Sequence, residues 1–192
     1  MFLMFSSCSI FGDFFLTVCP LLFLLSVVSL GKQLNPFSNK MGAEGGKLLA
    51  DAIKAHPNYS KIALNMFDGK TEVDMSRQRF QPSGLDIGDA HIIAEVLQHN
   101  PQLTKLDLSD NVHMVSPEHD YGIGDYRSSG IQALISAFKA TPSLTSVSLS
   151  GVWGGHSKSY GKQAFEDDRA ALRAAFAGRP GVLVLKDPKW DQ

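Results

Sequence analysis

The sequence predicts an α/β fold: a short solenoid of repeated helix-turn-strand units, with parallel strands on its concave face and helices on its convex face. Three observations carry the prediction. A phrase built on a proline recurs four times, at Pro57, Pro101, Pro142 and Pro180. Ahead of each proline runs an apolar stripe at helical spacing. Ahead of each stripe stands an apolar residue followed by glycine, at Met41-Gly42, Ile87-Gly88, Ile123-Gly124 and Tyr160-Gly161. A helix and strand of this size cannot bury their apolar faces alone, so stacking of successive units must form the core.

The chain opens on an apolar stretch. Residues 1–31 carry no charge apart from Asp13, and residues 14–31 form an uninterrupted run of 18 ending in small side chains. That length lies between a signal-peptide core and a spanning helix. Three readings stand: a signal peptide cleaved after Ser29 or Gly31, an uncleaved membrane anchor, or an extension ahead of a true start at Met41. The internal Pro20 and the absence of a positive n-region count against an ordinary signal. The protein is expected to be secreted or membrane-anchored if the segment is genuine, and cytoplasmic if translation starts at Met41. Residues 32–40, KQLNPFSNK, read as a linker. Residues 41–187 read as the repeat domain, with about four irregular copies, and residues 188–192 as a tail.

Each helix is placed by the residues four and eight before its proline: Ile53 and Leu49, Leu97 and Ile93, Phe138 and Leu134, Phe176 and Leu172. These positions share one helix face. The proline cannot extend the helix and drives its predecessor out of helical geometry, so each helix stops there. A short strand follows. In the first copy, HPNYSKIALNMF, the inward residues are Tyr59, Ile62 and Leu64. In the second, NPQLTKLDLSDN, they are Leu103, Leu106 and Leu108, and in the third, TPSLTSVSLSGV, they are Leu144, Val147 and Leu149. Each such side chain contributes roughly 1.5–3 kcal/mol when buried. The fourth copy, RPGVLVLKDP, fits with two residues deleted.

LTKLDLSDN resembles the core of a leucine-rich repeat. MGAEGGKLLADAI, IGDAHIIAEVL and GIQALISAF resemble the helical half of its ribonuclease-inhibitor-like subclass, so the resemblance spans most of residues 41–187. It implies parallel strands lining a horseshoe's concave face, a role in protein binding, and no catalytic machinery. The chain also departs from the family. Its prolines stand 44, 41 and 38 residues apart, whereas family repeats run about 20–29 residues. The excess is read as insertions after the strands: MFDGKTEVDMSRQRFQPSG, VHMVSPEHDYG and GVWGGHSKSY. Asn111 occupies the family's asparagine position, but Phe67 and Val152 stand at the matching places.

Strand residues alternating with the inward ones face the concave side: Lys61, Ala63 and Asn65, then Lys105, Asp107 and Ser109, then Ser146, Ser148 and Ser150. Stacking is expected to set Ala63, Asp107 and Ser148 in one row. Loops after the strands bring His113, Tyr121, Trp153 and His156 to one rim as further partner-binding candidates. The alternative for the aromatics is to pin long loops to the body. Asn58 heads the sequon Asn58-Tyr59-Ser60, a glycan acceptor if the chain is secreted.

Several function classes are excluded by what the sequence lacks. A composition of 44% hydrophobic and 19% charged residues over 192 positions is globular and of one-domain length. A formal net charge of -1 without any basic run argues against a nucleic-acid partner. Both cysteines, Cys8 and Cys19, lie in the apolar start, and His113, His119 and His156 lack ligand spacing, so neither a metal nor another cofactor is expected. GGHSKSYGK lacks the first glycine and the hydroxyl residue of a phosphate loop, and YGIGDYRSSG sets Arg127 where a dinucleotide fingerprint needs its third glycine. Neither G-x-S-x-G nor H-E-x-x-H occurs. No enzyme is expected. The reading is a non-catalytic scaffold that binds a protein partner through its concave face and rim loops, touching a membrane only through residues 1–31 if these are retained. Two alternatives stay open: a GTPase regulator, since such repeats also resemble the Ran GTPase-activating family, and a fragment or diverged module of a larger leucine-rich-repeat sensor.

Overall fold

Helix and strand alternate along the chain because apolar residues at a spacing of three or four give way, after each proline-bearing turn, to apolar residues at a spacing of two. The computed structural model describes residues 36–55, 67, 69–77, 84–115, 118–119, 122–123, 127–153 and 162–185. Within them α1 (Gly42–Ala55), α2 (Ile87–Gln98), α3 (Ser129–Ala140) and α4 (Lys162–Phe176) are followed in turn by β1 (Glu72–Asp74), β2 (Lys105–Asp107), β5 (Ser146–Ser148) and β6 (Val182–Val184). Those four strands make one parallel sheet in the order β1-β2-β5-β6. A short antiparallel pair, β3 (Glu118–His119) and β4 (Gly122–Ile123), lies between β2 and α3. Among the described residues no helix is long and apolar enough to cross a membrane.

The core sits between the helices and one face of the sheet. Val73, Leu106 and Val147 occupy one register row, and all three are buried. Leu103, Leu108, Leu144 and Leu149 are fully buried beside them, as are the helix residues Ile53, Leu97, Phe138, Ile93, Leu134 and Leu172. Phe176 packs edge-on against Phe138 at 5.7 Å between ring centroids. Glycine lets the helices approach closely. A Cβ on Gly46 of α1 would overlap the backbone of Gly88 in α2, and one on Gly130 of α3 would press on Ala90 of α2 at 2.9 Å.

The strand beside β2 is a correction. Glu72, Val73 and Asp74 pair with Lys105, Leu106 and Asp107, so Asp74, and not Ala63, is the neighbour of Asp107. The segment read as an insertion supplies this strand. Lys61, Ala63 and Asn65, with Asn58, Tyr59, Ile62 and Leu64, lie outside the described residues. The physical reason is that residues 71–76, TEVDMS, repeat the pattern of residues 104–109, TKLDLS, and 145–150, TSVSLS. Val73 and Met75 are buried as their counterparts are. The threonines also carry the stacking. The Thr71 carbonyl accepts from the Thr104 backbone N–H at 2.7 Å and from its hydroxyl at 2.9 Å, and the Thr104 carbonyl accepts likewise from Thr145 at 2.9 and 3.2 Å. At the fourth level stands Gly181, where a Cβ would collide with the Thr145 carbonyl.

The described part of the segment read as a linker, residues 36–40, is packed. Phe37 is buried and faces Phe67 at 6.3 Å between ring centroids. The Ser38 backbone N–H donates to the Asp89 carboxylate at 3.1 Å, and the Ser38 hydroxyl donates to the Gly84 carbonyl at 3.0 Å. Asp86 and Asp89 cap α2 reciprocally: each carboxylate accepts the other's backbone N–H, at 2.8 and 2.9 Å. Asp86 also accepts the Gly42 N–H at 3.1 Å, which ties the start of α1 to the start of α2. Burial, reinforced by the neighbouring Asp86 charge, pushes the Asp89 carboxyl up to about 7.

Candidate functional site

Strand geometry alternates side chains between two faces, so the residues flanking Val73, Leu106 and Val147 must project away from the helices. They form an open face in two register rows. Glu72, Lys105, Ser146 and Val182 share one row, and Asp74, Asp107, Ser148 and Val184 the next. Ser109, beyond the second row, carries a hydroxyl that meets the Ser148 hydroxyl at 2.6 Å. A hollow of about 480 Å³ lies over β1, β2 and β5, lined by Lys70, Glu72, Asp74, Lys105, Asp107 and the two serines of β5.

Polarity is graded across this face. Glu72 and Lys105 make a cross-strand ion pair at 2.6 Å, both exposed, and such a pair adds little stability. The Asp107 Oδ1 accepts the Ser109 backbone N–H at 2.9 Å and the Ser109 hydroxyl at 2.5 Å. Asp74 Oδ1 likewise accepts the Ser76 N–H at 3.0 Å. Toward β6 the charge disappears, and Val182 is 62% exposed. The face therefore runs from charged, through hydroxyl, to apolar.

Of the residues expected on this face, Lys105, Asp107, Ser109, Ser146, Ser148 and Ser150 lie on β2, β5 and the residues following them, exposed or half-buried. The rim candidates do not come together in the same way. Tyr121 and His156 lie outside the described residues, and His113 is half-buried in a short 3-10 helix, Val112–Met114. Trp153 is a correction: it is 3% exposed and packs edge-on against Phe165 at 5.9 Å, with the Arg169 guanidinium over that same Phe165 ring. Its indole belongs to the core and offers no surface to a partner.

Asn111 is structural in its geometry. Its amide nitrogen donates to the carbonyls of Met75 and Leu108 at 2.8 and 3.0 Å, and its oxygen accepts the Leu85 N–H at 3.0 Å. Asp110, just before it, adopts φ of 64°, and Gly151 lies against its carboxylate where a Cβ would collide. Among the described residues no group of three or more histidine, cysteine, aspartate or glutamate side chains could hold a metal ion.

Compared with known proteins, the chain matches no family model and no curated protein.

Sequence reasoning missed Glu72, Asp74, Val182 and Val184 as members of the face. The signal for the first two was the T-x-[VL]-[DS]-[ML]-S phrase, which is anchored on threonine and is independent of the prolines. For β6 the signal is weaker, because Gly181 replaces the threonine and valines replace the polar residues.

Proposed function

We propose that the chain is a short leucine-rich-repeat solenoid whose work is to bind a protein partner on the open, concave face of its sheet, without catalysis. The hollow of about 480 Å³ over three adjacent strands is the observation that supports this most directly. Its lining side chains stand on a backbone locked by parallel pairing. Rigid presentation means that little ordering entropy is lost on binding. The partner-binding set is then Lys105, Asp107, Ser109, Ser146, Ser148 and Ser150, joined by Glu72 and Asp74.

A photo-crosslinking amino acid placed at Ser146, with a second protein carrying it at exposed Lys47 on α1 as reference, tests the reading inside cells. The expected result is one discrete protein adduct from position 146 that is absent from position 47. Identical adducts from both positions, or none from position 146, would overturn it.

A further inference from the structure

Proton accounting on the open face fixes which kind of group it can receive. A carboxylate at neutral pH only accepts hydrogen bonds, and a serine hydroxyl has one proton to give. Ser109 gives its proton to Asp107 Oδ1 at 2.5 Å. The contact between the Ser109 and Ser148 hydroxyls at 2.6 Å must then be donated by Ser148. Both hydroxyl protons are consumed within the protein. Left over at the hollow are the second Asp107 oxygen, which takes no hydrogen bond among the described residues, and the lone pairs of Ser148. The Lys105 ammonium, the nearest cation in the sequence, is engaged by Glu72 at 2.6 Å. Where Asp107 and Ser148 line the hollow, its floor therefore offers hydrogen-bond acceptors.

We infer that this face takes an arginine-bearing segment of a protein partner, the guanidinium lying against Asp107 and Ser148 and an apolar side chain of the same segment lying on Val182 and Val184. The inference rests on the protein-binding reading above and adds the chemistry of the occupant. A guanidinium offers five N–H donors in a planar fork and has no acceptor, so it satisfies the acceptors of Asp107 and Ser148 better than a compact ammonium. The apolar end follows from the other half of the gradient. Strands lie about 4.8 Å apart, so Asp107 on β2 and Val184 on β6, two strands away, stand on the order of 10 Å apart. An extended segment crossing the strands covers that distance in about three residues.

The test is an NMR titration of the full-length ¹⁵N-labelled chain with a blocked pentapeptide bearing arginine and leucine three positions apart. Parallel titrations use the same peptide with citrulline or glutamate for arginine, and with serine for leucine. Expected are shift changes confined to β2, β5 and β6, at least tenfold weaker binding of the citrulline and glutamate peptides, and a severalfold loss for the serine peptide. Asp107→Asn should weaken the arginine peptide at least tenfold, and Val184→Asp severalfold, in variants whose thermal unfolding midpoint matches the parent. The inference is overturned by no binding, by equal binding of the glutamate peptide, or by shifts that map to the helices. A discrete crosslinked partner from position 146, together with any of these three outcomes, would leave protein binding standing and remove the arginine assignment alone.

Discussion

The Asn111 side chain reaches across to the preceding strand and donates to the Met75 carbonyl at 2.8 Å, while its oxygen holds the Leu85 N–H at 3.0 Å. One buried amide thus satisfies backbone groups on both sides of an interval whose middle lies outside the described residues. Replacing it exposes how much of the stacking depends on it. Asn111→Ala strands at least three buried polar groups, each costing about 1–3 kcal/mol when unpaired. Urea unfolding should show a loss of at least about 3 kcal/mol, whereas a loss under about 1 kcal/mol would mean that water replaces the amide.

Gly46→Ala tests the contact between α1 and α2. Alanine is favoured over glycine in a helix by about 1 kcal/mol, so without a neighbour the substitution would stabilise. Here the new Cβ meets the backbone of Gly88, which cannot swing aside as a side chain would. The expected net effect is a destabilisation of about 1–3 kcal/mol, against no measurable change for exposed Lys47→Ala. A gain in stability for Gly46→Ala would show that the helices separate readily.

Asp89 gives the fold a pH dependence of defined sign. Its folded value of about 7 lies above the ordinary 3.8, so between those values the native state holds a proton that the unfolded chain releases. Stability from this group is fully present below about pH 4 and is lost as the pH rises through about 7. His91 acts oppositely. Burial first, and Lys47 second, lower it from 6.5, so it favours the native state as pH rises. The parent chain must therefore be compared with Asp89→Asn at each pH. Their difference should shift steadily in favour of the variant from pH 4 to 8, and a constant difference would contradict the assignment.

Gly181→Ala should release β6 alone. The added Cβ collides with the Thr145 carbonyl, which accepts the Val182 N–H at 2.8 Å. Hydrogen exchange should then speed up at Val182 and at Leu149, whose N–H donates to Val184. Protection at Met75, bonded to Asp107 across β1 and β2, should be unchanged. Loss of protection throughout would mean that the sheet opens as one unit.

Much of the architecture was legible in local spacing. The helices end where the prolines require, and Leu103, Leu106, Leu108, Leu144, Val147 and Leu149 point into the core because period-two alternation beside a helical stripe leaves them no other face. The face residues on β2 and β5 follow from the same alternation. Trp153 was not legible, because an aromatic residue after a strand serves a rim or a core equally well until the position of Phe165 is known. Nor was β1, since the first proline phrase and the threonine phrase after it compete for the same place.

That competition marks the division. Apolar periodicity and proline chemistry act within a few residues, so the sequence alone settles the α/β class and the inward positions on β2 and β5. Which strand lies against β2 depends on backbone pairing between Thr71 and Thr104, 33 positions apart. The acceptor-rich floor likewise needs Ser109 and Ser148, 39 positions apart, to meet at 2.6 Å. Such contacts arise only when the chain closes on itself, and a one-dimensional pattern holds no distance between them.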